Sequence, residues 1–287
     1  MDIENIDLKT ADLHLHTIAS DGEMTAEEVI DTSAELGLKT ISITDHDGVG
    51  AYAGGAEILI DKARSKGVEL ITGTELDSEY MDVEVHILGY GIEVDHPVLK
   101  AHLAEIHPLR RKRIREIVAK VNDHFGTEFL KEEEIFPAGR ETLMKPHVVR
   151  ELLDKGKFDK YRDAARWISE KCRSETVVPK FSPEKIISVI LGSGGVPVLA
   201  HPAYYSGVNG VDLDKMISDF SAMGLSGVEV YYDYHGLSPA LFNMEDGADI
   251  SSVISNITKK HGLFSTRGSD SHTLEELVER NHPEKTG

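Results

Sequence analysis

The segment "ADLHLHTIASDGEMT", residues 11–25, closes a short apolar run with His14 and His16 and places Asp21 five positions further on. Side chains alternate along a β-strand, so residues two apart share a face. A strand that served only a core would carry Val or Ile at those places. Two imidazoles and a carboxylate at its exit point to a site built where the strand ends. Other strands of the same sheet should then end in the same residue types.

The sequence around this segment supplies such strands. "TADLHL" (10–15) reads as a strand, followed by a helix over "TAEEVIDTSAELGL" (25–38), with Thr25 as N-cap and Glu28 completing a capping box. "KTISIT" (39–44) is the next strand, and "AYAGGAEILIDKARSKG" (51–67) the next helix, stopped by Gly67. "VELITGTEL" (68–76) and "VEVHILGY" (83–90) are β-runs. Strands alternating with helices imply a mostly parallel sheet with helices packed outside it.

From 96 to 180 the rhythm changes to helices, over "HPVLKAHLAEIHPLRRKRIREIVAKVNDHFG", "PHVVRELLDKG" and "KYRDAARWISEKC". It resumes with helix "PEKIISVILGSGG", strand "VPVLAH", helix "DLDKMISDFSAMG", strand "SGVEVYY", helix "ISSVISNITKKHG", strand "LFSTRGSD" and a short final helix. The expected organisation is one barrel-like α/β domain, residues 1–95 and 181–287, interrupted by a helical insertion, residues 96–180.

Composition narrows the function. A net charge of −19 argues against a protein that grips long nucleic acid, because phosphate binding rests on Lys and Arg. It leaves room for small anions at a site where bound cations supply the positive field. No stretch approaches the roughly 18 consecutive apolar residues of a membrane helix, and "MDIENIDLK" lacks the apolar core of a signal peptide. The single cysteine, Cys172, excludes an internal disulfide and fits a buried apolar position in a cytoplasmic protein.

The other strands do end as the first one does. "ISITDHD" ends in Asp45, His46 and Asp47, "LITGTEL" in Glu75, "VPVLAHP" in His201, and "GSDSH" in Asp270 and His272, while "VEVHILGY" carries His86 and "GVEVYY" Glu229. Six of the fourteen histidines (14, 16, 46, 86, 201 and 272) lie at or beside strand ends. In a parallel α/β barrel those ends gather on one face. So many imidazoles and carboxylates would be costly to bury together without a cation, and as a donor set they suit Zn, Mn or Fe. Asp47 and Glu229 can serve there as ligands or as hydrogen-bonded rim residues.

In this order, "DLHLHT-IASDG", "TDHD", "TGTE", "VHILGY", "LAHP" and "GSDSH" resemble the PHP (polymerase and histidinol phosphatase) superfamily. "KPHVVREL" in the insertion is similar to its stand-alone phosphoesterases. That branch includes phosphatases of AMP and 3',5'-bisphosphonucleosides and a 5'→3' exonuclease of short RNA. The resemblance implies a distorted (β/α)7 TIM-like barrel with two or three divalent metals (Mn, Fe or Zn). Carried onto this sequence, one metal is expected on His14, His16, Glu75 and Asp270. A second is expected on Glu75 as a bridge with His86 and His201, and a third on Asp21, His46 and His272. The implied reaction is hydrolysis of a phosphate monoester by metal-bound hydroxide, with His201 or Asp45 as proton shuttle.

In the insertion, Arg140, Lys145 and His147 stand near a helix start, where free N–H groups favour an anion and Pro146 suits the first turn. They are expected to bind the substrate. Relatives carry Arg where this chain has Lys145, and Lys lacks the bidentate fork. Along "PLRRKRIREIVAK", Leu109, Ile114, Ile117, Val118 and Val121 form an apolar stripe, with Arg110, Arg111, Lys112, Arg113 and Arg115 expected to face outward. The reading is a phosphatase of a small nucleotide. The alternatives are an exonuclease of short RNA, which would use that basic face, and a non-catalytic metal-binding regulatory module. Histidinol phosphate, an amine, calls for an acidic receptor where Arg140 and Lys145 stand.

Overall fold

The computed structural model describes residues 3–281 except 127, 138, 235–236 and 243–248. The elements run β1 (Ala11–Leu15), α1 (Ala26–Glu35), β2 (Thr40–Ile43), α2 (Ala56–Ser65), β3 (Glu69–Tyr80) and β4 (Val83–Tyr90). The helical stretch holds α3 (Pro97–Phe125), α4 (Glu132–Ile135), α5 (Lys145–Asp154) and α6 (Tyr161–Lys171). Then come α7 (Pro183–Gly192), β5 (Val196–Leu199), α8 (Pro202–Asn209), α9 (Leu213–Ala222), β6 (Gly227–Tyr231), α10 (Ile250–Lys260), β7 (Phe264–Arg267) and α11 (Leu274–Arg280).

The seven strands pair in sequence order, β1 to β7. Past β7 the chain returns beside β1, where His16 N–H donates to Ser271 O at 3.1 Å and Asp270 N–H to His14 O at 2.8 Å. The sheet is thereby nearly closed into a distorted TIM-like barrel. Pairing is parallel except around β4, which is antiparallel to both β3 and β5. The sequence gives no helix between β3 and β4, so the two form a hairpin. Its turn residues Met81 and Asp82 both have positive φ (51° and 62°), the turn geometry that matches strand twist.

Thr25 caps α1 with the full capping box. Helices α1, α2 and α11 bury Val29, Ile30, Leu59, Ala63 and Leu277 against Leu15, Ile41 and Ile43. Helices α7, α9 and α10 cover the far side with Ile186, Ile190, Phe220 and Ile254.

The apolar side chains of α3 divide between two cores. Leu99, Leu103 and Ile106 pack into the barrel, whereas Ile114, Ile117, Val118 and Val121 join Val148, Leu152, Ile168 and Cys172 in a separate helical core. Pro108, without an amide hydrogen, stands between the two halves. The boundary expected at residue 96 therefore precedes a helix whose first half belongs to the barrel.

Two helices were not legible, the single turn α4 and the longer α8. The segment after "LAHP" forms α8, with Pro202 in its first turn, and carries Tyr204, Tyr205 and Val208. No described helix is long and apolar enough to cross a membrane.

Candidate metal centre

The strand ends bring the nine expected metal-ligand residues into one buried cluster. His14, His16 and Glu75 are fully buried. Glu75 presents its two oxygens to different partners. Oε2 lies 3.1 Å from His14 Nε2 and 3.3 Å from His16 Nε2. Oε1 lies 2.9 Å from His86 Nδ1 and 3.2 Å from His201 Nε2. Asp270 Oδ1 is 3.0 Å from His16 Nε2, and Asp21 Oδ1 is 3.2 Å from His272 Nε2.

Three groups with mutually close donor atoms result: His14, His16, Glu75 and Asp270; Glu75, His86 and His201; and His16, Asp21, His46 and His272. A fourth grouping joins His46 and His86 to Asp77.

The donor atoms fit cations better than they fit one another. His16 Nδ1 is buried without a partner, and His16 Nε2, His46 Nδ1 and Asp21 Oδ1 are buried beside ionisable neighbours without an aligned hydrogen bond. A buried polar atom left wholly unpaired costs roughly 1–3 kcal/mol. Without cations the cluster satisfies its charge by holding protons. Burial opposes a charge on His46, yet Glu75 and Asp21 lift its pKa to about 10. Burial likewise opposes a charge on His272, and Asp21 and Asp270 raise it to about 9. Burial works against the Glu75 carboxylate too, but His46, His14 and His86 hold its pKa well below the ordinary range.

The backbone is shaped to bring these groups together. His201 and Asp270 adopt positive φ (28° and 54°), as does Asp47 beside His46 (40°), conformations that cost L-residues energy and gather at functional sites. Gly268 lets the end of β7 approach β1, since a Cβ there would lie 2.2 Å from Glu229 Oε1 and 2.3 Å from His14 Cβ. Gly22 does the same for the Asp21 turn, where a Cβ would meet the His16 backbone at 2.6 Å.

The PHP domain profile matches residues 12–178, more than half of the chain. The chain belongs to the PHP domain family. Over most of its length this PHP protein is similar to a 3',5'-nucleoside bisphosphate phosphatase of Chromobacterium violaceum (29% identity; 91% of this chain, 86% of the relative). It is also similar to a 5'-3' exoribonuclease of Haemophilus influenzae (31% identity; 92% and 90%). A crystal structure described as a presumptive metal-dependent phosphoesterase from Bifidobacterium adolescentis superposes with a TM-score of 0.76 (26% identity; 91% and 87%). The PHP protein is a hydrolase, a metal-dependent phosphoesterase.

Other expected residues lie differently in the PHP protein. Asp45 turns away from the cluster and accepts from Thr17 N–H (2.8 Å), Thr17 Oγ1–H (2.7 Å) and Ser20 Oγ–H (2.6 Å), which fixes the loop leading to Asp21. His201 has both ring nitrogens engaged, Nε2 toward Glu75 and Nδ1 with Tyr205 Oη at 3.1 Å. Neither expected proton shuttle is therefore free. His147 is buried, with Nε2 2.9 Å from Ser20 O and Nδ1 accepting from Met144 N–H, so it braces the Asp21 loop and offers substrate no free nitrogen. Lys145 Nζ reaches Ser169 Oγ at 3.3 Å, while Arg140 bonds Ile135 O and keeps a buried, unpartnered Nε. Arg110 does not face outward: it pairs with Asp47 and Asp77.

Of three further residues at the site, Arg150 and Tyr232 were not singled out, and Glu229 was left open between ligand and hydrogen-bonded rim residue. Arg150, inside "KPHVVREL", bonds Asp21 O. Glu229 joins His14 Nδ1 (3.0 Å) to His201 N–H (2.8 Å). Tyr232 Oη donates to Asp270 Oδ2 at 2.8 Å. Only the acid at the end of β6 had a signal in the sequence.

Proposed function

We propose that this phosphoesterase hydrolyses the phosphate monoester of a small nucleotide, of the AMP or 3',5'-bisphosphonucleoside type. The observation that supports this reading is a cavity of about 350 Å³ beside the cluster. His46, His86, His201 and Asp270 form one wall, and Tyr204, Tyr205, Tyr232 and Val208 another. Phosphate-facing chemistry thus adjoins an aromatic surface on which a base or ribose can rest. The volume sits at the small end of ligand pockets and suits one nucleotide.

His14, His16, Glu75 and Asp270 would hold one cation, Glu75, His86 and His201 a second, and Asp21, His46 and His272 a third. Such ions, when bound, supply Lewis acidity toward phosphoryl oxygens and make water a nucleophile near neutral pH. The chain's own side chains do the rest. Glu75 keeps two groups together through its two oxygens, Glu229 and Tyr232 fix His14 and Asp270, and the tyrosine wall orients the nucleoside.

The helical insertion, residues 96–180, acts in this reading as a cap. Its Glu141 and Thr142 amides donate to Ala19 O (2.9 and 3.0 Å), and Arg150 bonds Asp21 O. Arg140, with its spare donor, is the insertion residue we assign to a second phosphate.

Phosphate release, with Mn added, from AMP, 3',5'-bisphosphonucleosides, histidinol phosphate and short RNA tests the proposal. Turnover of histidinol phosphate in preference to any nucleotide would overturn it. The second reading, removal of nucleotides from short RNA, draws on the similarity to the Haemophilus influenzae exoribonuclease.

A further inference from the structure

The basic run of α3 contains one residue that its sequence pattern misplaces. The Arg110 side chain is only 13% exposed, and its guanidinium donates to Asp47 Oδ2 and, at 2.6 Å, to Asp77 Oδ2. Asp77 lies on β3 directly opposite His86 of β4 in the hairpin register. With Oδ2 taken by Arg110, Asp77 Oδ1 is buried and has no hydrogen-bond partner. It lies 3.6 Å from His86 Nε2 and 3.8 Å from His46 Nδ1.

For His86 this is the nitrogen turned away from Glu75, which Nδ1 faces at 2.9 Å. For His46 it is the nitrogen turned away from Asp21, which Nε2 faces at 4.0 Å; the same Nδ1 also lies 3.2 Å from Glu75 Oε2. Once cations claim Glu75, Asp77 is the carboxylate left to receive an N–H from both rings. A histidine that ligates through one nitrogen almost always donates through the other to an outer partner, which sets its tautomer and angle.

The insertion also grips the loop on which His46 sits. Asp47 O accepts from His107 Nε2 at 2.7 Å and from Thr142 Oγ1 at 3.0 Å. Asp47 Oδ1 accepts the Asp77 amide at 3.1 Å, which ties the loop to β3. Two neighbouring carboxylates would repel, and Arg110 is the charge that keeps them side by side.

We propose that Asp77, pinned by Arg110, is a positioning residue that orients His46 and His86 together, so that helix α3 of the insertion sets how tightly two of the metal groups hold their ions. The inference rests on the reading that those histidines ligate cations.

The test measures Mn retained and its dissociation constants, by equilibrium dialysis with metal analysis, on full-length wild-type, Arg110→Met, Arg110→Lys and Asp77→Asn proteins. Removing an outer partner weakens affinity roughly 10- to 100-fold. That loss is expected for Arg110→Met and Asp77→Asn at the ions on His46 and His86, with the ion on His14, His16, Glu75 and Asp270 unchanged. Arg110→Lys should restore part of it. The double variant should be no weaker than either single one, because both act through one contact.

Wild-type retention in Asp77→Asn would overturn the proposal, and that variant decides the matter alone if Arg110→Met fails to fold. Tighter binding in Arg110→Met would also overturn it, because it would make Asp77 a direct ligand held in check by the arginine. A wild-type protein that binds no Mn would remove the ligand reading itself, a separate failure.

Discussion

Glu229 Oε1 lies 3.0 Å from His14 Nδ1, with both side chains fully buried. A carboxylate there fixes the proton on Nδ1 and leaves Nε2 of His14 to face Glu75 and Asp270. Glu229→Gln keeps the shape but can present its amide N–H₂ to the ring, so metal affinity should fall about 10- to 100-fold. Metal titration followed by calorimetry checks this, and unchanged affinity would make Glu229 a spectator.

Glu75 should matter more than any single histidine, because its two oxygens serve two groups. Cations held close together repel, and a carboxylate bridging them would offset that repulsion. Glu75→Ala is expected to lose at least one tightly bound ion and essentially all hydrolysis. Metal stoichiometry after gel filtration decides it, and a wild-type count would contradict the bridge.

Metal binding should release protons. In the metal-free protein His46 titrates at about 10 and His272 at about 9, so both are protonated at pH 7.5 and must become neutral to ligate. Affinity should therefore rise with pH. Calorimetry of Mn binding in buffers of different ionisation heat should count about two or more protons released; none would show that these rings do not ligate.

His147 has its pKa shifted the other way. Burial first, then Arg140, lowers its pKa from 6.5 to about 4, so the folded protein resists its protonation. The unfolded chain binds that proton below about pH 6.5, so stability is full above that pH and falls as pH drops toward 4. For metal-free wild-type protein against His147→Gln, the stability difference should shrink over this window, by roughly 3 kcal/mol at most. Parallel denaturation curves would contradict it.

The strand-end chemistry was legible because buried imidazoles and acids are costly where Val or Ile would do, and their order along the chain matched strand exits. Local rules also located most elements, as the Thr25 box at α1 shows. What sequence did not reveal was pairing across space. The stripe on α3 identifies its apolar face, but the burial of Arg110 depends on Asp47, in the loop after β2, and on Asp77 of β3, both earlier in the chain. Asp45 stands beside His46, yet Thr17 and Ser20 claim its oxygens. Helix α8 is short, aromatic and interrupted by Gly207, so no periodicity marked it.

Arg140 should separate substrates with one phosphate from those with two. In the proposed reading its unpartnered Nε would serve a second phosphate, whereas Lys145 is drawn to Ser169. A charge-assisted bond contributes about 1.5–3 kcal/mol. Arg140→Ala should therefore raise KM for a 3',5'-bisphosphonucleoside at least about tenfold more than for p-nitrophenyl phosphate, and Lys145→Ala less. Equal effects on both substrates would remove Arg140 from recognition.

The most direct test is kcat/KM of the Mn-reconstituted enzyme against a substrate series lengthening from a 3',5'-bisphosphonucleoside through di-, tri- and pentaribonucleotides. A cavity of about 350 Å³ beside the cluster predicts the highest value for the single nucleotide and a fall with each added residue. A value that climbs with oligomer length, drops steeply with salt and collapses on charge reversal at Arg111 and Arg113 would contradict the phosphatase account and establish an exonuclease.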